Sequence, residues 1–181
     1  TVGSVASITF HSTAGAYTLA ANSGSAGYDT ASALVLNGNI VNNSNATQTI
    51  NLALTSNATR VYDAAAGNIT IGGPISGTGG LTKNGSNTLA LSGNNTYSGG
   101  ITINANSGTM IPGHSNALGS GTAALGGNNA TLELVNGITL ANAITVSNSG
   151  NGKFIRLQSG ATSAITGNIT ISETTLNLFD I

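Results

Sequence analysis

Seven side chains of this sequence have the chemistry of general acids, general bases or metal ligands: Asp29, Asp63, Glu133, Glu173, Asp180, His11 and His114. Hydrolysis of a glycosidic bond needs two carboxylates flanking one sugar linkage. The five acids are instead dispersed, and only Glu173 and Asp180 fall within about 20 residues of each other. Their spacing predicts solvated charges beside strands. His11 and His114 are too far apart for one metal site and read as surface or corner residues. Calcium-binding nonapeptide coils need an aspartate after their glycines, and Gly126-Gly127-Asn128-Asn129 has none. Gly77-Thr78-Gly79-Gly80 is glycine-rich like a phosphate loop, but no helix-forming segment follows it to supply a dipole.

The four cations add no constellation. Arg60 with Asp63, and Lys153 with Arg156, are three residues apart, so on one strand each pair faces opposite ways. They read as isolated solvent positions. The Asn-x-Thr triplets at Asn45, Asn57 and Asn94 are expected by chance in so Asn- and Thr-rich a chain. Thr47-Gln48-Thr49 has the pattern of ice-binding solenoids, but no ranked Thr-x-Thr column recurs. No catalytic, cofactor-binding or metal-binding residue is assigned, and no cofactor is expected.

Composition narrows the partners. Charged residues make up 5% of the chain, against about 25% in an ordinary domain. With a net charge of -1 there is no basic field to hold nucleic acid or an anionic membrane. No apolar run is long enough to insert in a bilayer, and without cysteine there is no disulfide framework. Hydrophobic residues at 39% argue against disorder. The chain opens at Thr1 without a signal-like start and stops at Phe179-Asp180-Ile181 inside an alternating pattern. Both ends are expected to be cuts through a longer protein or interfaces to a neighbouring subunit.

The elements that must carry these residues are short strands. Twenty-six glycines and frequent Asn and β-branched residues leave no window with a sustained helical period. Period-two runs such as Ile50–Leu54, Leu89–Leu91, Ile101–Ile103 and Ile144–Val146 are brief and bounded by Gly, Asn or Ser. Apolar residues step along as Leu19, Leu36, Leu52, Ile71, Leu91, Ile111, Leu132, Ile155 and Leu176, which is rung spacing in a coil. Gly67-Asn-Ile-Thr-Ile71 also returns as Gly167-Asn-Ile-Thr-Ile171. A sandwich with hairpins at Asn37-Gly38, Asn84-Gly85 and Asn136-Gly137 is the competitor. Runs with only two or three inward apolar residues suit a narrow rung better. The expectation is an all-β, parallel β-helix of roughly nine rungs, a rod about 40 Å long, running continuously through residues 1–181.

One window carries a resemblance. Ile75-Ser-Gly-Thr-Gly-Gly-Leu81-Thr-Lys83 is followed by a glycine turn, then Leu89-Ala-Leu91-Ser-Gly93, then Asn95-Thr-Tyr97-Ser-Gly99-Gly100. This order resembles the passenger-associated repeat of bacterial autotransporters and giant surface proteins, best over residues 75–104. Ser115-Asn-Ala-Leu118-Gly and Asn136-Gly-Ile-Thr-Leu140 are similar to the segments that separate such repeats. Asn87 and Ala90 depart from glycine and threonine, which are common there. The resemblance implies a right-handed β-helix and a module that assists secretion. It makes the chain a non-enzymatic structural segment of an extracellular or bacterial cell-surface protein: a stalk, adhesin body or filament subunit. The alternative is a carbohydrate-binding or polysaccharide-degrading β-helix module. Expected partners are copies of itself stacked end to end, neighbouring repeats of the same chain, or a host or surface glycan. Tyr97 is expected to cover a corner rather than to recognise a ligand.

Overall fold

A computed structural model describes residues 3–21, 33–146, 152–172 and 176–180, and for Phe179 and Asp180 the backbone alone. Among these residues there is no helix, and every paired strand runs parallel to its partner. The chain winds as a β-solenoid. Its first turn comprises β1 (Ser4–Val5), β2 (Ile8–Phe10) and β3 (Thr18–Leu19). The second has β4 (Leu34–Leu36), β5 (Ile40–Asn42) and β6 (Gln48–Ile50); the third, β7 (Leu54–Thr55), β8 (Arg60–Asp63) and β9 (Ile69–Ile71). β10 (Ile75–Ser76), β11 (Leu81–Asn84) and β12 (Leu89–Leu91) make the fourth. The fifth turn carries β13 (Ile101–Ile103) and β14 (Thr109–Pro112), and the sixth β15 (Ala123–Leu125) and β16 (Thr131–Leu134). The seventh has β17 (Thr139–Leu140), β18 (Ile144–Val146) and β19 (Lys153–Leu157), and the eighth β20 (Ala164–Ile165), β21 (Ile169–Ile171) and β22 (Leu176–Asp180).

Two eight-stranded sheets run the length of the coil, one from β2 to β21 and the other from β3 to β22. The third face is interrupted. It is a four-stranded sheet through β1, β4, β7 and β10, then irregular corners, then the pair β17 and β20. Eight levels replace the expected nine. The difference lies early in the chain, where Leu36 and Leu52 do not each mark a rung between Leu19 and Ile71. Leu19 in fact pairs with Ile50, and Ile50 with Ile71, while Leu36 pairs with Val5 on the third face. Eight strands at ~4.8 Å give a rod of about 34 Å.

Alternation in the sequence becomes burial in the coil. In β9, β12, β13 and β18 the outer two residues are buried and the central one is not. Stacking then aligns like with like. Leu81, Ile101, Ala123 and Ile144 form one inward column, and Ile69, Leu89, Met110, Leu132 and Ile155 another. Each fully buried Leu or Ile contributes about 1.5–3 kcal/mol relative to exposure. Because every turn adds such residues and a ladder to the last, stability accumulates along the axis.

The corners are where composition matters most. At Gly99 an added Cβ would strike the backbone nitrogen and Cα of Gly80 in the turn before. Backbone cannot swing aside as a flexible side chain would, so turns four and five must separate to admit a methyl group. Gly15, by contrast, has open space at the same position and an ordinary φ. Gly99→Ala is therefore expected to lose about 1–3 kcal/mol, whereas Gly15→Ala stays within about 0.5 kcal/mol of the parent. Chemical denaturation of the two variants measures this, and equal midpoints would show that the stacked corner is not tight.

Candidate functional site

Among the described residues the solenoid does not bring the acids and histidines together. Asp63 ends β8 on one long sheet, and Glu133 sits in β16 on the other. Asp29, Glu173 and the side chain of Asp180, and with them the expected proximity of Glu173 and Asp180, lie outside the described residues. His11 is exposed at a first-turn corner with Nδ1 3.1 Å from Thr13 Oγ1. Nδ1 of His114, in the connection between the fifth and sixth turns, accepts from the Asn116 N–H at 3.0 Å. Among the described residues no three His, Cys, Asp or Glu side chains come together as a metal centre would require. Gly77 to Gly80 turns the corner between β10 and β11 with Gly77 at φ 109. Thr18, Thr49 and Thr70 do stack in register, as a single column.

The cations depart from expectation. Arg60 and Asp63 face opposite ways as their spacing dictates: Arg60 Nε donates to buried Ser56 Oγ at 3.3 Å. Lys153 is not a solvent position. It is fully buried on the inward side of β19, in phase with Ile155. Arg156 points outward but is half-buried, its guanidinium 4.9 Å from the Phe154 ring centroid. Beside it, Gln158 Nε2 donates to Glu133 Oε1 at 2.9 Å. Both corrections have one cause. A long aliphatic stem fills the thin interior as leucine does, or lies along the sheet surface.

What the interior does hold is a set of buried polar side chains bonded to corner backbone. Lys83 is fully buried, and its ammonium donates to the carbonyls of Asn84 and Gly85, each at 2.8 Å, and to that of Ser107 in the next turn. Asn42 donates to Ala46 O at 2.9 Å and Asn68 O at 3.0 Å, while its Oδ1 accepts from the Ser44 N–H. Asn95 accepts from the Ile75 N–H at 2.8 Å and donates to Ala117 O at 2.7 Å, bridging three levels. Asn142 donates to Gly119 O and Gly121 O. Tyr97 lies inside the corner rather than over it, 1% exposed, its hydroxyl directed at Ala117 O.

These side chains satisfy carbonyls and amides that the ladders leave over, which would otherwise cost free energy as buried unpaired groups. For several of these side chains the sequence signal lies in the alternation. Lys83 and Lys153 each stand two residues from an inward Leu81 or Ile155, so alternation alone assigns them to the core. Asn42, two residues from Ile40, and Asn142, between Leu140 and Ile144, hold the same inward phase.

This defines a class: a parallel β-solenoid in which Asn42, Lys83, Asn95 and Asn142 bond inward to its own backbone. Residues 81–109 match the family model described as Passenger-associated-transport-repeat, so the chain carries a repeat of that family. The match overlaps most of the window from Ile75 to Asn104 and includes Lys83. No curated protein and no solved structure matches the chain.

Burial lowers the Lys83 pKa from 10.5 to about 8, against the opposing pull of the Asp63 carboxylate. A folded-state pKa below the unfolded one means the unfolded chain binds more protons between about 8 and 10.5. Stability from this group therefore rises with pH across that window. Burial also raises the Tyr62 and Tyr97 hydroxyl pKa values above the ordinary 10, so their contribution is lost above that pH. In Lys83→Met the first effect disappears and the second remains. The stability of the wild type minus that of Lys83→Met should climb from about pH 8 towards pH 10, measured by urea denaturation across the range. A difference independent of pH would mean that Lys83 is not desolvated.

Proposed function

We propose that this chain is a rigid, non-enzymatic spacer within a secreted or bacterial cell-surface protein, the body of a stalk, adhesin or filament. The observation that carries this reading is the continuity of the two long sheets through all eight levels. Such a coil transmits load through parallel backbone ladders and holds whatever lies beyond it at a fixed distance. The passenger-type repeat at residues 81–109 supports export as its destination. A carbohydrate-binding or degrading module has one observation in its favour, the outward group of Glu133, Arg156, Gln158 and Phe154. That group is weak support, because Arg156 already covers the Phe154 ring and Glu133 has no described carboxylate partner.

The test is location. Antibodies raised against this segment are expected to label intact, unpermeabilised cells or to recover the protein from the medium. Labelling only after permeabilisation would overturn the reading.

Stacking is the mode of partnership we propose. Ile169, Ile171 and Leu178 are 41%, 49% and 68% exposed on the last described turn. Ile169 and Leu178 border an apolar cleft of about 370 Å³ that Leu134, Ile155 and Ile165 also line. Another turn of the same kind, from a neighbouring repeat or a second copy, would cover this end as each turn covers the one before. Sedimentation of the isolated segment should show association that grows with concentration and weakens in Leu178→Asp. A strictly monomeric segment at high concentration would remove the self-stacking proposal.

A further inference from the structure

Of the four Asn-Gly pairs in the sequence, three lie wholly among the described residues, at corners of the coil, and the structure treats their side chains differently. Asn151, of the fourth pair, lies outside the described residues. We propose that Asn37 is a site of spontaneous, non-enzymatic modification to aspartate and isoaspartate, and that stacking protects Asn84 and Asn136 from the same reaction. In that reaction the backbone nitrogen of the following glycine attacks the side-chain amide carbon. A new N–C bond closes a succinimide ring, the glycine N–H proton is lost, and the side-chain nitrogen leaves as ammonia. Water then opens the ring at either carbonyl, giving aspartate or a chain rerouted through the side chain. The only co-reactant is water, and glycine is the residue that hinders the attack least.

The geometry grades the three sites. At Asn136 both reacting groups are tied to the turn above. Its Oδ1 accepts from the Thr162 N–H at 2.8 Å, and the Gly137 N–H donates to Thr162 O at 2.9 Å. Closing the ring there requires breaking both bonds. At Asn84 the amide is tied, with Oδ1 accepting from Asn104 Nδ2 at 2.7 Å. The corner itself is pinned by the Lys83 ammonium on the Asn84 and Gly85 carbonyls. Asn37 is exposed, and no described residue bonds its side-chain amide. The Gly38 N–H makes no backbone hydrogen bond among the described residues. Only the neighbouring backbone is held, through the Asn37 N–H to Val5 O at 2.9 Å and the Ile8 N–H to Asn39 O at 3.0 Å.

The product matters to the coil. It places a new carboxylate on a chain with five acids. The isoaspartate form also lengthens the backbone by one carbon at a corner where Gly38 packs against the Ala6 carbonyl. Turns one and two then no longer match in register at that corner.

The experiment is ageing of the whole protein at mildly alkaline pH in ¹⁸O-water, native and in denaturant, followed by peptide mass spectrometry. In the native protein Asn37 should convert several-fold faster than Asn84, with Asn136 slowest. In denaturant the three rates should converge, because the sequence context Asn-Gly is the same. Asn37→Gln should abolish the signal at that corner and leave the other two rates unchanged. If Asn84 or Asn136 converts as fast as Asn37 in the native protein, or if the native ranking persists in denaturant, the proposal fails.

Discussion

A coil of short strands meets its hardest constraint at the corners. Along each strand the N–H and C=O groups bond up and down the axis, and stacking satisfies them without help. Where the chain bends, some of those groups turn inward, into an interior too thin to hold much water. They must find partners there. Asn42, Lys83, Asn95 and Asn142 supply them, each reaching corner backbone of its own or a neighbouring turn. The same bonds set the distance between levels, so backbone satisfaction and turn-to-turn register are one requirement.

That requirement accounts for the composition. Corners stacked as closely as Gly80, Gly99 and Gly100 leave no room for Cβ atoms. Asparagine offers a donor and an acceptor on a short stem, and it stacks on its own kind outside the coil as well, as Asn94 does with Asn116 and Asn106 with Asn129. Charge is scarce for a related reason. A cation placed inward is costly unless it is fully bonded, and the three carbonyls around Lys83 meet that condition. Solubility then rests on Asn, Ser and Thr, whose side chains suit a surface in which every position repeats at each level.

Much of this was legible in the sequence, and the exceptions share a pattern. Period-two alternation located most strands and assigned the inward residues of β12 and β13 correctly. The order of features from Ile75 to Gly100 pointed to the repeat that residues 81–109 match. Counting turns failed because apolar residues occur on all three faces: Leu36 and Leu19 look alike in the sequence but belong to different sheets. Lys153 departs from the solvent position its charge suggests, because phase outweighs charge there. In a strand flanked by Ile155 and stacked on both sides, phase decides. The polar interior bonds were the least legible, since they depend on which carbonyls turn inward, a property of corners rather than of residue types.

These constraints divide the chain into positions that cannot vary and positions that can. Inward columns are fixed by volume, and corner residues by backbone contact and hydrogen bonds. The outward centre of each strand is tied to neither. On one long face that column reads Val61, Thr82, Thr102, Ala124, Thr145 and Thr170. On the other it passes from Thr49 and Thr70 through Ala90 and Ile111 to Glu133 and Arg156. The first column is nearly uniform, whereas the second changes from hydroxyl to apolar to charged within six levels. Change in such outward columns leaves intact the corners and core that hold the turns together, whereas altering those would unstack the turns that present them. On the face carrying Glu133 and Arg156 the described surface changes most in chemical character from level to level.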